Sequence, residues 1–442
     1  MSGTITKNSL ILIGSKIISL LLSLCSGIII ARVLGPEGKG VLAVAFLVPT
    51  LLFTIFLFDS NLSVRYYVAK TPDKIRNIIR SSLVYLNILG ITLLLLSYLI
   101  LIFFSATINQ WIATDILCIS MLLIPFFINI NLSGAVLSGM QRFFTVSVIN
   151  LTNVGIYTII ILVLSQIYLT IKIVVICKIA ASFIITLIYI IVFWNGKLIF
   201  RRVTLDAKLF SDILKYGLKS YPGTIAQFLN YRIDIFLVAY FLTFEEVGLY
   251  VLAVNWSELI FYLPDSMAMV LFPTIASSKS RKDSNELTAI MTKAVMIIIL
   301  IGSIFILLFA GKLIPFLYTN QFLGSIYPLF ILLPGVLMLS MWKIIISDLA
   351  GRGFPQYKSI TSTAGMILNV ILNIILIPLY GINGAALATS LSYTLTTILS
   401  IYWHINITGT TLFQLLFIRR KDVTFILSRV SIKKQSSLTP KT

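Results

Sequence analysis

The chain is short of charge, cysteine and histidine. Only 11% of its 442 residues are charged, and it contains three cysteines and one histidine. Soluble proteins carry about 25% charged residues, so a chain that is 58% hydrophobic with a mean hydropathy of +1.02 is predicted to be a polytopic membrane protein. No Cys or His cluster has the spacing of metal ligands, so the sequence predicts no metal site, no cofactor and no disulfide framework.

Acidic residues are scarce as well: 15 Asp and Glu stand against 34 Lys and Arg, for a net charge of +19. In a soluble protein this excess would suggest nucleic acid, but here the basic residues lie between apolar runs. Most of them fall on one set of alternate connections, and the opposite set carries only Arg32, Lys39, Lys172 and Lys312. The positive-inside rule therefore predicts that both termini are cytoplasmic and that nucleic acid is not a partner.

Twelve hydrophobic runs are long enough to cross a bilayer as helices. Nothing in them has the alternation of a membrane β-barrel. The first run is too long for a signal segment and is predicted to remain as a span. The approximate bounds are 9–33, 40–64, 81–105, 113–137, 145–168, 171–194, 217–242, 247–273, 288–311, 324–349, 359–379 and 383–404.

An internal repeat divides these spans six and six. Residues 31–45 align with 239–253 at an offset of 208, and further matches follow at offsets of 206 and 212. An even number of spans per repeat predicts two parallel lobes around an axis along the membrane normal, with a central cavity and alternating access. The equivalent pairs include Gly40 with Gly248, Asp59 with Asp265, and Gly139 with Gly351.

The resulting domain prediction has four parts. Residues 1–194 form an N-terminal lobe, residues 195–216 a cytoplasmic linker, and residues 217–404 a C-terminal lobe. Residues 405–442 form a basic cytoplasmic tail, in which an apolar stretch beside Arg419 is suited to the membrane interface.

The seventh span carries two charges near its middle, Arg232 and Asp234. A charge at that depth costs about 2.5–3.5 kcal/mol, so each should face a partner or a wet cavity. Arg232 lies about as far before the turn at 243–246 as Glu258 lies after it. Antiparallel neighbours hold such residues at similar depth, so we predict that Arg232 and Glu258 pair while the cavity is empty. Either Asp234 or Glu258 is a candidate for coupling transport to an ion.

Further candidates come from the remaining polar residues in spans. Lys16, Lys178 and Lys343 join Arg232 as candidates for binding an anionic substrate, because Lys and Arg suit phosphate. Asp59, Arg65 and Asp265 form a candidate gate near the cytoplasmic ends of spans 2 and 8, although repeat symmetry also fits structural caps. Asn369 and Asn373, four residues apart, are predicted to bond across helices.

Three motifs resemble one family of membrane proteins. They are Ala31-Arg-x-Leu-Gly-Pro-Glu-Gly-x-Gly40, Asn230-x-Arg-x-Asp234 with Gly248-Leu-Tyr-x-Leu-Ala253, and Gly351-Arg-Gly-Phe-Pro-Gln-Tyr357 with the segment 369–389. Together they resemble polysaccharide exporters of the multidrug/oligosaccharidyl-lipid/polysaccharide (MOP) superfamily over about residues 5–405. Within that superfamily the chain looks like an O-antigen (Wzx-type) flippase, and more distantly like lipid II flippases and multidrug antiporters.

The resemblance implies a transporter and not an enzyme. Its cargo would be an undecaprenyl-diphosphate-linked oligosaccharide, moved from the cytoplasmic to the periplasmic leaflet of a bacterial inner membrane. The resemblance also implies coupling of transport to H+ or Na+. It further implies association with polymerase and chain-length proteins of the same pathway.

Two alternatives stay open. A cation-coupled multidrug exporter of the same superfamily would have a cavity lined mainly by acids. A membrane glycan polymerase or acyltransferase would need a large basic outer loop or a His with an acid, and His404 has no acid within ten residues of sequence.

Overall fold

A computed structural model describes residues 2–105, 113–196, 198, 206–278 and 280–417, with the side chains of residues 2–13 and 72 left out. The described residues fold into helices and connecting turns, without strands. Three short 3-10 helices, Pro72–Lys74, Leu259–Phe261 and Asn320–Ser325, lie between longer ones. The α-helices are α1 (Ser2–Phe56), α2 (Ser60–Lys70), α3 (Ile75–Phe103), α4 (Thr114–Met121), α5 (Leu123–Gly139), α6 (Phe143–Ser165), α7 (Ile171–Asn195), α8 (Ala207–Phe241), α9 (Phe244–Glu258), α10 (Tyr262–Ala276), α11 (Arg281–Tyr318), α12 (Ile326–Gly351), α13 (Gln356–Thr408) and α14 (Leu412–Leu416).

Within these described ranges, nine helical segments are long and apolar enough to cross a membrane. Two of them, of 43 and 53 residues, exceed the roughly 20 residues that one crossing needs, and each is kinked at a glycine with positive φ, Gly35 or Gly381. Each therefore supplies two spans. Helix α8 adds one more, with Arg232 and Asp234 lowering its hydropathy. The prediction of an all-α polytopic protein with about twelve spans is confirmed.

Helix α8 begins earlier than the hydropathy pattern indicates. It starts at Ala207, inside the predicted linker, because Asp206 caps it by accepting a hydrogen bond from the Leu209 amide at 2.8 Å. Leu209 and Ile213 then recur at helical spacing and are buried. The hydropathy pattern does not predict this first part of α8 because Lys208 and Asp212 interrupt the apolar run. Most of the remaining linker and the tail beyond residue 417 lie outside the described residues.

The second predicted span, 40–64, is interrupted near its C-terminal end. Helix α1 ends at Phe56, and Phe58 and Asp59 adopt the left-handed conformation (φ 49° and 53°) before α2 begins. The fourth span is divided at Leu122, between α4 and α5, where the backbone stays in the right-handed helical region.

The repeat is visible in the packing of two equivalent glycines. Gly40 of α1 and Gly248 of α9 lie where these helices cross with their backbones in contact. A Cβ at Gly40 would lie 1.9 Å from the Phe244 carbonyl oxygen, and one at Gly248 would lie 1.8 Å from that of Pro36. Equivalent residues of a two-fold repeat can meet only at its axis, so the pseudo-two-fold axis passes through this crossing.

A second pair of contacts repeats away from the axis. Gly139 at the end of α5 packs against Arg65 and Val68 of α2, with a Cβ position 2.8 Å from the Arg65 carbonyl oxygen. Its equivalent Gly351, at the end of α12, packs against Phe272 and Ile275 of α10 in the same way, 2.9 Å from the Phe272 carbonyl oxygen. Both halves of the chain therefore reuse one helix-packing arrangement.

Candidate functional site: the central cavity

A cavity of about 450 Å³ lies between helices from both halves of the chain. Helix α1 contributes Lys39 and several small or apolar side chains, whereas α8, α9, α10, α11 and α12 contribute aromatic, amide and charged ones. The lining residues are Leu20, Ser23, Leu24, Gly27, Lys39, Tyr231, Arg232, Asn255, Trp256, Glu258, Leu259, Phe261, Tyr262, Asp265, Tyr318 and Lys343.

The cavity lies on the repeat axis. Ser23 and Leu24 of the first span are equivalent, at the 208-residue offset, to Tyr231 and Arg232 of the seventh, and all four line the cavity. Two equivalent helices thus turn the same face towards one space. This is the arrangement that parallel repeats around a normal axis produce.

Arg232 and Glu258 are paired in this cavity. The Arg232 guanidinium donates two hydrogen bonds to the Glu258 carboxylate, at 2.8 Å (Nη1 to Oε1) and 2.9 Å (Nη2 to Oε2). Nη1 also donates to the Tyr231 carbonyl at 3.1 Å. The structure therefore contains the contact expected from the turn geometry. Both side chains keep some exposure, 30% and 21%, so an anion in the cavity can reach the arginine.

Lys343 and Asp265 form a second pair in the cavity wall. Lys343 Nζ lies 2.6 Å from Asp265 Oδ1 and 4.2 Å from the centre of the Phe261 ring. Asp265 is 49% exposed, so only one of the two charges is well shielded from water. The pair joins α10 to α12 within the second half of the chain.

Lys39 also lines the cavity, although the sequence pattern predicts it in an outer loop. Its Nζ lies 5.0 Å from the centre of the Tyr318 ring and 5.8 Å from that of Phe322. A usable signal existed: Lys39 adjoins Gly40, and a glycine shared by both repeats marks close backbone approach near the axis.

The described lining is net positive. Its basic side chains are Lys39, Arg232 and Lys343, and its acidic ones are Glu258 and Asp265. Each acid is already paired with a base, which leaves Lys39 as the cation with no ion pair among the described residues. The cavity is therefore not lined mainly by acids.

Two other predicted substrate-binding residues lie away from the lining. Lys16 is on the same face of α1 as Leu20 but one turn earlier, beyond the end of the cavity wall. Lys178 of α7 places its Nζ 4.9 Å from the centre of the Tyr157 ring, on α6 within the first half of the chain.

Asp234 is buried among the helices of the second half and does not line the cavity. One of its oxygens accepts hydrogen bonds from Tyr250 Oη at 2.6 Å and Thr389 Oγ1 at 3.1 Å. The other accepts one from the Ile235 amide at 2.8 Å. No basic side chain pairs with Asp234 within the described part of the chain, so its charge is stabilised by hydroxyl and amide groups.

The neighbouring asparagines extend this polar group. Asn369 Nδ2 donates to Ser392 Oγ at 3.0 Å and to Thr389 Oγ1 at 3.4 Å, so it bonds across the two spans of α13 on either side of the Gly381 kink, as expected. Asn373 Nδ2 donates to Asn369 Oδ1 at 2.7 Å. The Asn373 Oδ1 atom is buried without a hydrogen-bond partner.

Asp59 joins the two halves of the chain at the end of the cavity opposite the Gly40–Gly248 crossing. Its Oδ2 accepts hydrogen bonds from Ser220 Oγ at 2.5 Å and Thr224 Oγ1 at 3.1 Å, both on α8. Gly217 packs directly against the Phe58 carbonyl, where a Cβ would lie 2.2 Å from the oxygen. This contact holds α8 against the turn between α1 and α2.

The other two gate candidates do not take part in this contact. Arg65 is exposed on α2 and makes no ion pair with Asp59 within the described ranges. Asp265, although equivalent to Asp59 in the repeat, binds Lys343. The symmetry of the sequence therefore does not extend to the partners of these two acids.

His404 has an acid partner that its sequence neighbourhood does not contain. Asp348 of α12 lies 2.9 Å from His404 Nε2 and also accepts hydrogen bonds from Arg352 and Thr288, at 2.8 Å and 2.7 Å. The histidine and the aspartate are both fully buried. They connect α11, α12 and α13 in one buried hydrogen-bond network.

Comparison with known proteins identifies relatives. A family model described as polysaccharide biosynthesis protein matches residues 5–279, more than half of the chain. The chain is 25% identical, over 195 residues, to the probable low-salt glycan biosynthesis flippase Agl15 of Haloferax volcanii; the match covers 43% of this chain and 41% of that protein. The chain thus spans about two-fifths of the length of the curated relatives it matches.

Solved structures share the fold over nearly all of the chain. A lipid II flippase, MurJ, in an inward closed conformation matches with a TM-score of 0.75 at 18% identity, covering 97% of this chain and 93% of MurJ. An inward-facing multidrug resistance MATE family transporter of the MOP superfamily matches with a TM-score of 0.73 at 16% identity, covering 88% and 94%. The chain therefore belongs to the polysaccharide biosynthesis protein family, with the fold of the MOP superfamily.

Proposed function

We propose that this protein is a flippase that moves a lipid-diphosphate-linked oligosaccharide between the leaflets of a membrane. In its specific form the proposal is an O-antigen unit on undecaprenyl diphosphate, carried from the cytoplasmic to the periplasmic leaflet of a bacterial inner membrane. The observation that supports it best is the charge of the cavity: Arg232 reaches a space in which basic side chains outnumber acidic ones.

The Arg232–Glu258 pair suggests how the diphosphate is received. Arginine presents a planar fork that binds carboxylate and phosphate oxygens in the same bidentate manner. An entering phosphate can therefore replace Glu258 with little change in the guanidinium geometry. Glu258 shields the arginine charge in the empty cavity, which lowers the cost of holding it inside the membrane.

Alternating access needs closure at each end of the cavity in turn. The Gly40–Gly248 crossing and the bond from Arg32 Nε to the Leu317 carbonyl at 2.7 Å join the chain halves at one end. Asp59 with Ser220 and Thr224 joins them at the other. We assign the Asp59 end to the cytoplasm, with both termini, because the basic connections lie on that side.

Asp234 is the proposed ion-coupling residue. It is a buried carboxylate beside the oxygen-bearing side chains of Tyr250, Thr389 and Asn369. Oxygen donors of this kind suit H+ or Na+. Asp234→Asn keeps the shape and removes the charge, so we expect transport to lose its dependence on an ion gradient, measured in proteoliposomes. Unchanged gradient dependence in the folded variant would exclude this role.

The function itself is tested by reconstitution. Purified protein is placed in proteoliposomes that contain a fluorescent undecaprenyl-diphosphate oligosaccharide, and exposure of the sugar to an external lectin or reductant is followed. We expect protein-dependent movement of this lipid and no accumulation of a cationic dye. Dye transport without lipid movement would instead support the multidrug exporter. Product chains longer than the added oligosaccharide would support a polymerase.

A further inference from the structure

One of the three basic side chains that line the cavity, Lys39, lies next to the Gly40–Gly248 crossing. Lys39 lies one turn after the Gly35 kink, on the part of α1 that crosses α9, and its side chain is half-buried. Arg232 and Lys343 each have an acid partner, and Lys39 has none within the described ranges. Its ammonium instead lies over the Tyr318 and Phe322 rings. Ring faces attract a cation, but they leave its outward N–H donors free for another ligand.

A second donor of hydrogen bonds lies beside the same ring. Trp256 is 8% exposed and lines the cavity, and its indole N–H faces the Tyr318 hydroxyl without making a hydrogen bond of normal geometry. The Trp256 and Tyr318 ring centres are 6.2 Å apart in an edge-to-face arrangement. Lys39 and Trp256 therefore both lie within about 6 Å of Tyr318.

The chemistry of these two groups selects one class of ligand. An ammonium and an indole N–H are donors without acceptor capacity, so together they can satisfy an anion but not a cation. A buried donor without a well-aligned partner is costly, which favours a ligand that offers it a better acceptor. Buried Tyr318 and Phe322 keep water away on one side and strengthen the attraction.

We propose that Lys39 and Trp256 form an anion-binding subsite that takes a phosphate group, separate from the Arg232–Glu258 pair. The inference rests on the proposed function for the source of the phosphate, the lipid diphosphate. Lys39 has no ion pair with a described acidic residue, so phosphate can bind to it without breaking one. Arg232 must exchange Glu258 for the phosphate. The two subsites lie on opposite sides of the repeat, Lys39 on α1 and Arg232 on α8.

The experiment measures binding of a soluble lipid diphosphate to the full chain in nanodiscs. Geranyl diphosphate is the probe, with geranyl monophosphate, inorganic pyrophosphate and geraniol compared, by isothermal titration calorimetry. We expect Lys39→Gln to weaken geranyl diphosphate binding about tenfold or more, and Trp256→Phe, which keeps the ring, about threefold to tenfold. Lys39→Arg should stay within about threefold of wild type, since it keeps the charge.

Lys172→Gln is the matched control. It removes the same charge from a lysine paired with Asp115 outside the cavity, so binding should not change. Melting temperatures of all variants separate a packing role from a binding role. Equal loss in Lys39→Gln and Lys39→Arg, accompanied by lower melting temperatures, would mean that Lys39 only packs against Tyr318 and would overturn the subsite.

The remaining outcomes separate this inference from the proposed function. If wild type binds geranyl diphosphate and both Lys39→Gln and Trp256→Phe bind it equally well, the subsite is wrong and the function stands. If wild type binds none of the phosphate probes, the proposed function fails and the subsite fails with it. Binding of inorganic pyrophosphate with the same dependence on Lys39 identifies the phosphate, and not the prenyl chain, as the group recognised.

Discussion

The first and seventh spans turn equivalent faces to one cavity but line it with different chemistry. Ser23 and Leu24 stand where the second half of the chain has Tyr231 and Arg232. The backbone arrangement is shared, because both helices must pack around the same axis. The charge is not shared. A ligand without two-fold symmetry does not require the same side chains on both sides of the cavity. The cavity side chains can therefore differ between the halves while the packing is retained.

Packing positions behave in the opposite way. Gly139 and Gly351 both allow a helix end to approach a neighbouring carbonyl oxygen, and Gly40 and Gly248 both allow the crossing on the axis. Any side chain would separate these backbones, so the requirement applies equally in each half. The two kinds of position can be told apart by substitution.

The largest effect is expected at the asymmetric charge. Arg232→Ala removes the bidentate partner of Glu258 and leaves that carboxylate unpaired, which removes the net positive charge of the cavity lining. Losing a hydrogen-bonded contact to the charged phosphate typically costs about 1.5–3 kcal/mol, so transport should fall by about tenfold to a hundredfold. The measurement is lipid translocation in proteoliposomes, together with surface glycan in a complemented cell.

Leu24→Ala is the matched control for Arg232→Ala, since it changes the equivalent position without changing charge. It should reduce transport only slightly. Equal effects of the two substitutions, or normal glycan export by inserted Arg232→Ala protein, would show that cavity volume and not charge determines activity.

The next effect concerns the crossing on the axis and should be the same in both halves. A Cβ at Gly40 or at Gly248 would lie less than 2 Å from a carbonyl oxygen, so each Ala variant must separate α1 from α9. We expect both to lose several kcal/mol of stability, seen as a similar drop in melting temperature in detergent. Gly155→Ala, where nothing lies within 4 Å, should be neutral or slightly stabilising. Different results at Gly40 and Gly248 would contradict the axis.

A smaller effect should separate the two equivalent acids. Asp59→Ala removes hydrogen bonds that join α8 to the other half of the chain, a loss of about 1–3 kcal/mol at that end. Ser63 is buried beside Gly217 at this contact and its hydroxyl makes no hydrogen bond, so a cysteine there disturbs no bond and should be labelled faster by a water-soluble maleimide in Asp59→Ala. Asp265→Ala breaks only the pair with Lys343, so labelling at position 63 should not change. Identical labelling in both variants would mean that Asp59 does not hold the contact.

The smallest effect is expected outside the repeat comparison. Lys172 and Asp115 pair on the surface with about half of each side chain exposed. Such a pair contributes about 0–1 kcal/mol, so Asp115→Asn should leave transport and melting temperature nearly unchanged. A marked loss of transport would indicate that this outer pair takes part in the cycle.

Some of the site followed from local rules. Arg232 and Glu258 flank one short turn, and residues placed symmetrically about a turn between antiparallel helices lie at similar depth. Asn369 bonds across the two spans of α13, as amides in spans usually do, whereas Asn373 bonds back to Asn369 within one span. Lys39 was not predicted as a cavity residue because its polar, glycine-rich surroundings indicate a loop. In the structure the helix continues through Lys39 after the Gly35 kink. Lys178 is an interior basic residue whose helix turns it towards Tyr157 and away from the cavity.

The sequence alone determined the properties that depend on short-range pattern. Apolar run length sets the number of crossings, and the nearly constant repeat offset sets the parallel halves. The tertiary structure alone decided which distant side chains meet. Asp59 and Ser220 are 161 residues apart, and Asp348 and His404 are 56 apart. Such contacts depend on the rotation and tilt of packed helices, which hydropathy does not encode, because lipid-facing and protein-facing apolar side chains have the same polarity.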